Sequence, residues 1–125
     1  MDIQKFREVL PSLCAADTAA GGGKGWTPEN PTFGHCAVVS LLAQDLFGGE
    51  LLRISLEGTP FAEGGSHYYN HLPDGTVVDF TAQQFGDWKC DGIPTEIRAR
   101  ERTLGGADTR TRYELLKARL AEALG

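Results

Sequence analysis

The sequence predicts an α+β fold in which a buried helix packs on a small antiparallel sheet. Apolar residues recur at helical spacing from residue 37 to 47, directly after Cys36. Apolar and polar residues alternate from 51 to 56, which is typical of a half-buried strand. The sequence Pro-Asp-Gly at 73–75 separates two further strand-like segments and favours a three-residue hairpin loop. A helix followed by an antiparallel sheet is therefore expected.

Helices are also expected near both ends of the chain. Residues 3 to 10 carry apolar side chains at helical spacing, with Asp2 as the N-cap and Pro11 as the stop. A second apolar stripe predicts a helix from about 109 to 124.

The segment from residue 17 to 34 is rich in glycine and proline, and we expect a long irregular loop there. Loops of this length are usually functional or disordered, so both a lid over a site and a fixed connection are compatible with the pattern. Trp26, inside this loop, suits an anchor of the loop or a wall of a cleft.

The composition is that of a soluble globular protein, and 125 residues suffice for one domain, 1–125, with its own core. The net charge of −5 argues against a nucleic-acid or anionic-membrane partner, because both require basic surfaces. The first residues lack the apolar stretch of a signal peptide, and no apolar run approaches transmembrane length. The oligomeric state is left open.

Three cysteines, none of them in a CxxC pair, predict neither a disulfide framework nor a zinc ribbon. A reducing, cytoplasmic setting is expected. Cys14 is expected to be a small buried apolar residue, and Cys90 to be incidental.

Cys36 is the candidate nucleophile. It falls in the first turn of the predicted helix, where free backbone N–H groups and the positive end of the helix dipole favour a thiolate. The same N–H groups are suited to hold an oxyanion. A nucleophilic cysteine further requires a base.

The predicted hairpin supplies two candidate bases. In a three-residue loop Leu72 flanks Thr76, which places Asp79 on the same face as His67 and His71 and diagonal to both. A Cys-His-Asp triad follows, in which Cys36 attacks an acyl carbon, one histidine moves the proton and Asp79 orients the imidazole.

Two other interpretations use the same residues. A zinc site would require ligands at about 2 Å, whereas residues four apart on a strand lie roughly 13 Å apart at about 3.3 Å per residue. That spacing disfavours a zinc site built from His35, Cys36, His67 and His71. In a purely structural interpretation, the cysteine is a buried helix-start residue, the histidines lie on the strand surface and Asp79 is a cross-strand partner.

Several motifs follow one another between residues 26 and 85. They are Trp26-Thr27-Pro28-Glu29-Asn30-Pro31, Gly34-His35-Cys36-Ala37-Val38, Gln44-Asp45-Leu46-Phe47-Gly48-Gly49-Glu50, Gly65-Ser66-His67-Tyr68-Tyr69-Asn70, Leu72-Pro73-Asp74-Gly75, Val78-Asp79-Phe80-Thr81 and Gln84-Phe85. In this order they resemble the YunG family of small bacterial proteins.

The resemblance implies a papain-like or transglutaminase-like cysteine-hydrolase fold. By position it implies Cys36 as the nucleophile, His67 as the base and Asp79 as the orienting acid. His35 stands where many members of the family have glutamine. The resemblance therefore implies that the His35 imidazole replaces that glutamine at the oxyanion site. Five further side chains are expected to serve substrate binding or the oxyanion site, namely His35, Trp26, Tyr69, His71 and Gln84, with Trp88 as a further cleft wall.

The predicted function is a cysteine hydrolase of the peptidase, isopeptidase or amidase type, acting on an amide or thioester substrate through a Cys36 acyl-enzyme. No cofactor and no metal are implied. The alternatives are a catalytically silent binding protein of the same fold and a transglutaminase-like or acetyl-transfer enzyme with the same triad.

Overall fold

The computed structural model describes residues 1–89 and 92–125, which form an α+β structure with helices around a four-stranded sheet. In chain order the elements are α1 (Ile3–Leu13), α2 (Cys36–Phe47), β1 (Glu50–Ser55), β2 (Ser66–His71), β3 (Val77–Val78), β4 (Thr95–Arg98), α3 (Arg100–Leu104) and α4 (Ala107–Ala123). Short 3₁₀ turns lie at Ala16–Thr18, Gly21–Gly23, Ala62–Gly64 and Ala82–Phe85. Cys90, predicted to be incidental, lies outside the described residues.

The sheet is antiparallel, with strand order β3-β2-β1-β4. Leu52 of β1 is paired with Tyr69 of β2 on one side and with Ile97 of β4 on the other. Strand β4 was not predicted, because its side chains are mostly exposed and Ile97 is its only apolar residue. An edge strand of this kind carries no alternating apolar signal.

The predicted hairpin register is confirmed. The N–H of Leu72 donates to the carbonyl oxygen of Thr76 at 2.8 Å, and His71 is paired with Val77. The second strand is shorter than the predicted 76–81, because β3 ends at Val78. The chain then turns away from the sheet, since the carboxylate of Asp79 accepts a hydrogen bond from the backbone N–H of Thr81.

Helix α1 begins as predicted, since the carboxylate of Asp2 accepts a hydrogen bond from the N–H of Lys5 at 2.7 Å. The prediction that Pro11 ends the helix is wrong, because α1 continues to Leu13. Proline removes one intrahelical hydrogen bond. Leu10 and Leu13, on either side of Pro11, are both buried in the core, which favours the continued helix.

Helix α2 has the predicted start at Cys36 and ends at Phe47, with Gly48 as its C-cap at a left-handed φ of 77°. Val38 and Leu41 are completely buried, and α2 packs against β2 and α4. The core therefore fixes the direction of α2 relative to the sheet. No helix within residues 1–89 and 92–125 combines the length and the apolar character needed to cross a bilayer.

A second, smaller apolar cluster contains Ile54, Leu56 and Phe85. Leu51 belongs to the main core and Ile54 to this second cluster, and strand residues an odd number apart point to opposite faces. Both faces of β1 are thus covered. His67, paired with Ile54, extends the second cluster toward the start of β2.

Candidate active site

The sulfur of Cys36 lies beside the beginning of β2. Cys36 is the first residue of α2, is half-buried, and has its Sγ 3.9 Å from the carbonyl oxygen of Ser66. Gly34 turns the chain into the helix with a φ of 75°, and a Cβ there would lie 3.1 Å from the backbone nitrogen of Ala20. The N–H groups of the first helical turn have no intrahelical partners. The thiol is therefore presented next to free backbone donors.

His67, in β2, is completely buried. Its ring stacks on Tyr69 with a centroid distance of 5.8 Å and meets the edge of Phe85 at 4.7 Å. The ring nitrogen Nε2 lies 2.6 Å from Oδ2 of Asp79. The other nitrogen, Nδ1, has no hydrogen-bond partner among the described residues. One side of the imidazole is thus held by a carboxylate, and the other remains available.

The surroundings of His67 favour its protonated form. Burial acts to lower the pKa because the charged ring loses its solvation, but the hydrogen bond to Asp79 and the neighbouring Cys36 side chain outweigh burial and raise the pKa to about 9. The sulfur of Cys36 lies 3.9 Å from the carbonyl oxygen of Ser66, the residue before His67, which places it on the side of the strand start. An imidazolium at neutral pH therefore stands beside the thiol.

Asp79 is itself fixed by a short polar network. Its Oδ1 accepts hydrogen bonds from the backbone N–H of Thr81 at 3.1 Å and from the Thr81 hydroxyl at 3.4 Å. The Gln84 amide donates to the carbonyl oxygen of Thr81 at 3.0 Å and accepts from the N–H of Gly34 at 3.4 Å. Gln84 thereby links the turn that carries Asp79 to the loop that precedes Cys36.

Asn70 is a positioning residue that the sequence analysis missed. It is 1% exposed, and its amide donates to the carbonyl oxygen of Ser40 at 3.0 Å. This hydrogen bond ties β2 to α2 and therefore fixes the strand of His67 relative to the helix of Cys36. The sequence feature that could have identified Asn70 is an amide side chain in a strand that is expected to pack on a helix.

The two candidate bases are separated by the structure. Asp79 pairs with His67, whereas Nδ1 of His71 lies 3.2 Å from Oε1 of Glu50 at the far end of β2. His71 does not line the cleft that contains Cys36. Its contribution to substrate binding stays a prediction, which this position does not support.

The oxyanion role predicted for His35 has no support in the structure, because both ring nitrogens have other partners. The ring is completely buried, with Nε2 at 2.7 Å from the Thr18 hydroxyl and Nδ1 at 2.8 Å from the carbonyl oxygen of Phe33. Burial lowers its pKa, and the charge of Arg112 acts in the same direction. His35 is therefore a neutral structural residue that joins the loop at Thr18 to the start of α2.

The aromatic residues expected to wall the cleft have other positions. The indole N–H of Trp26 donates to the carbonyl oxygen of Pro31 at 2.8 Å, which anchors the loop. The hydroxyl of Tyr69 lies 2.8 Å from that of Thr95. Trp88 lines a separate cavity of about 360 Å³ beside Asp79. None of the three lines the cleft of Cys36. Gln84 is likewise absent from it, and its amide hydrogens are directed at Thr81.

The cleft that contains Cys36 has a volume of about 930 Å³. Phe33 and Tyr68 contribute aromatic surface, and basic side chains come from three separate parts of the chain, namely Lys24, Arg102 and Arg112. These basic residues were not predicted, because their proximity depends on the packing of the loop against α3 and α4.

Two of the four residues weighed for a zinc site lie apart from Cys36 and His67. His35 is hydrogen-bonded to Thr18 and Phe33, and His71 lies beside Glu50. Over residues 1–89 and 92–125, no three side chains of the His, Cys, Asp and Glu types are grouped as metal ligands.

The model of the YunG protein family matches residues 2–125. The chain belongs to the YunG family. A YunG relative from Bacillus subtilis (strain 168), described as "Uncharacterized protein YunG", is 38% identical over 60 residues, which are 48% of this chain and 46% of the relative. The match thus spans about half the length of each protein. No solved structure was found to match the chain. The predicted YunG membership is confirmed, and the papain-like or transglutaminase-like fold stays a prediction.

Proposed function

We propose that this YunG-family protein is a cysteine hydrolase of the peptidase, isopeptidase or amidase type. Cys36 is the nucleophile, His67 the acid and base, and Asp79 the group that orients the imidazole. One observation carries the proposal. The hydrogen bond of 2.6 Å between Nε2 of His67 and Oδ2 of Asp79 leaves Nδ1 for the neighbouring Cys36 sulfur.

The architecture supports a papain-like or transglutaminase-like interpretation. In such folds a helix begins at the nucleophilic cysteine and packs on an antiparallel sheet that carries the histidine and the acid. Here α2 begins at Cys36 and packs on β2, and β2 carries His67. Asp79 follows the next strand of the hairpin.

In the first half of the reaction, the thiolate of Cys36 attacks the substrate carbonyl carbon. The sulfur–carbon bond forms and the carbonyl oxygen becomes an oxyanion, for which the backbone N–H groups at the start of α2 are the donors. As the amide bond breaks, the imidazolium of His67 gives its proton to the leaving nitrogen. The products are a free amine and a thioester on Cys36.

In the second half, a water molecule attacks the thioester. His67, now neutral, takes a proton from the water, and the thiolate of Cys36 leaves as the carboxylic acid forms. An amine in place of water would give acyl transfer with the same residues. The steps use only side chains, backbone groups and water.

The test is the rate of Cys36 alkylation by iodoacetamide between pH 5 and pH 9, followed by peptide mapping in a Cys90→Ser background. Cys14 is an internal reference, because burial raises its pKa to about 12 despite the nearby Arg119. Since a free thiol is largely protonated at pH 6, we expect wild-type Cys36 to react on the order of 100-fold faster than Cys36 in His67→Gln.

His71→Gln is the matched control, since it changes a histidine of the same strand that contacts Glu50. It should leave the alkylation rate unchanged. If Cys36 reacts like a free thiol in wild type and in both variants, the hydrolase proposal fails. The alternative that then remains is a binding protein of the same fold. Release of an amide product only when an amine is added, during a screen of amide and thioester substrates, would indicate acyl transfer.

A further inference from the structure

The cleft of Cys36 is basic although the chain as a whole is acidic. Lys24 from the glycine-rich loop, Arg102 from α3 and Arg112 from α4 all line it, whereas the net charge of the chain is −5. Glu63 is the acidic residue among the lining side chains. Positive charge is therefore concentrated around the candidate nucleophile.

Arg112 is a fixed part of this wall. It is 7% exposed, and its guanidinium donates to the carbonyl oxygen of Thr18 at 3.2 Å and to the carboxylate of Asp108 at 2.9 Å. The Asp108 side chain is 73% exposed, so solvent screens its charge more than that of the buried guanidinium. A buried arginine retains its charge, so Arg112 contributes a guanidinium to this wall beside Asp108.

Lys24 and Arg102 contribute positive charge to the cleft without being held in ion pairs. Both are exposed, and neither forms an ion pair with any of the described residues. Beside Arg102, Thr103 is 7% exposed, and its hydroxyl has no hydrogen-bond partner within the described part of the chain. Thr103 also lines the cleft. Two free cations and a buried, unpaired hydroxyl are suited to an oxyanion group of a ligand.

We propose that the acyl donor of Cys36 is an anionic amide or thioester whose carboxylate or phosphate group is held by Lys24 and Arg102. This inference rests on the proposed hydrolase function, because it names the substrate class of the same site. The cationic wall concentrates anionic substrates near the sulfur and disfavours cationic ones.

The test compares two alkylating agents that differ in charge. Iodoacetate is anionic and iodoacetamide is neutral, and each forms a sulfur–carbon bond at Cys36 as iodide leaves. The measured quantity is the ratio of their second-order rate constants at Cys36, from peptide mapping at low salt in a Cys90→Ser background. The cleft variant is Lys24→Gln with Arg102→Gln.

The control variant, Lys5→Gln with Arg110→Gln, loses the same two charges at exposed positions outside the cleft. We expect the iodoacetate-to-iodoacetamide ratio to fall about five-fold in the cleft variant and to remain unchanged in the control, as for two charges acting across a hydrated cleft. The charge of His67 contributes equally in all variants. Equal ratios in the cleft variant and the control would overturn the proposal.

Protection of Cys36 against iodoacetamide identifies the anionic group. Protection by glutarate indicates a carboxylate and protection by pyrophosphate a phosphate, and either result supports the proposal. The absence of protection by both anions contradicts it. Failure of the hydrolase proposal gives a different result. Wild type and His67→Gln would then react with iodoacetamide at the same rate, whatever the iodoacetate-to-iodoacetamide ratio.

Discussion

Two histidines of this protein are completely buried, yet the pKa of one is lowered and the pKa of the other is raised. Both ring nitrogens of His35 are engaged by uncharged groups, the hydroxyl of Thr18 and the carbonyl of Phe33, and burial lowers the pKa of the ring. His67 has a carboxylate on one nitrogen and no partner on the other, and its pKa is raised to about 9. Burial is common to both. The charge of the partner and the free nitrogen make one histidine structural and the other suited to proton transfer.

The two described cysteines differ in a related way. Cys14 is buried at the end of α1, and burial raises its pKa to about 12 against the opposing effect of Arg119. Cys36 is half-buried at the start of α2, beside an imidazole. The region before residue 36 thus contains an inert thiol and an inert imidazole, whereas the helix start and the hairpin bring together a pair suited to chemistry.

The largest effect is expected from His35→Ala. The substitution removes a fully buried ring together with its hydrogen bonds to Thr18 and Phe33, so the free energy of unfolding should fall by about 3 kcal/mol. Urea unfolding at pH 7.5 measures this, with His35→Gln as a variant that retains a donor and an acceptor. A loss below about 1 kcal/mol in His35→Ala would contradict the structural role.

The next effect concerns the pKa of His67. Asp79→Asn removes the charged partner of the ring and should lower this pKa by about 1–2 units, each unit being about 1.4 kcal/mol. An NMR titration of the imidazole resonances measures the shift. Glu50→Gln is the matched control, because it changes the partner of His71 and should leave His67 as it is. Equal titrations of His67 in Asp79→Asn and wild type would show that the carboxylate does not set its charge.

A smaller effect is expected from Thr81→Val. The hydroxyl of Thr81 donates to Asp79 and accepts from Gln84. Its replacement by a methyl group should lower the free energy of unfolding by about 1 kcal/mol. Thr81→Ser retains the hydroxyl and should recover most of this stability in the same urea experiment. If serine is as destabilising as valine, the hydrogen bonds to Thr81 are not the cause.

The smallest effect is a slope of stability with pH. Because burial lowers the folded-state pKa of His35 below its ordinary value of 6.5, the unfolded chain binds more protons, and stability is lost as the pH falls below 6.5. The contribution of one histidine cannot exceed about 1.4 kcal/mol per pH unit. Between pH 6.5 and pH 5.5 the loss of stability should be smaller in His35→Gln than in wild type, because the raised pKa of His67 affects stability mainly above this range. Parallel profiles would assign the slope to other groups.

The helix at Cys36 and the hairpin were predictable because their signals are local. Apolar spacing places α2, and the Pro-Asp-Gly turn sets the register that brings Asp79 near His67. The sequence left His67 and His71 as alternatives, because both share a face with Asp79. The partner of His67 depends on where β3 ends, and the partner of His71 is Glu50, which lies opposite it on the neighbouring strand β1.

The remaining features depend on contacts between distant segments. His35 appeared functional because it precedes the candidate nucleophile, whereas its partner Thr18 lies seventeen residues upstream in the loop. The basic side chains of the cleft come from a loop and two helices. Strand β4 has a single apolar residue and pairs with β1, which lies more than forty residues earlier in the chain. Local patterns contain no information about such partners.

The order of the three candidate catalytic residues along the chain affects how the protein is made. Cys36 precedes His67 and Asp79, and the hydrogen bond from Asn70 to Ser40 joins their segments only after β2 has docked on α2. During synthesis Cys36 therefore leaves the ribosome before His67. Under the proposed function, the thiol has no imidazole beside it until the hairpin has folded, so an incomplete chain lacks the candidate catalytic pair.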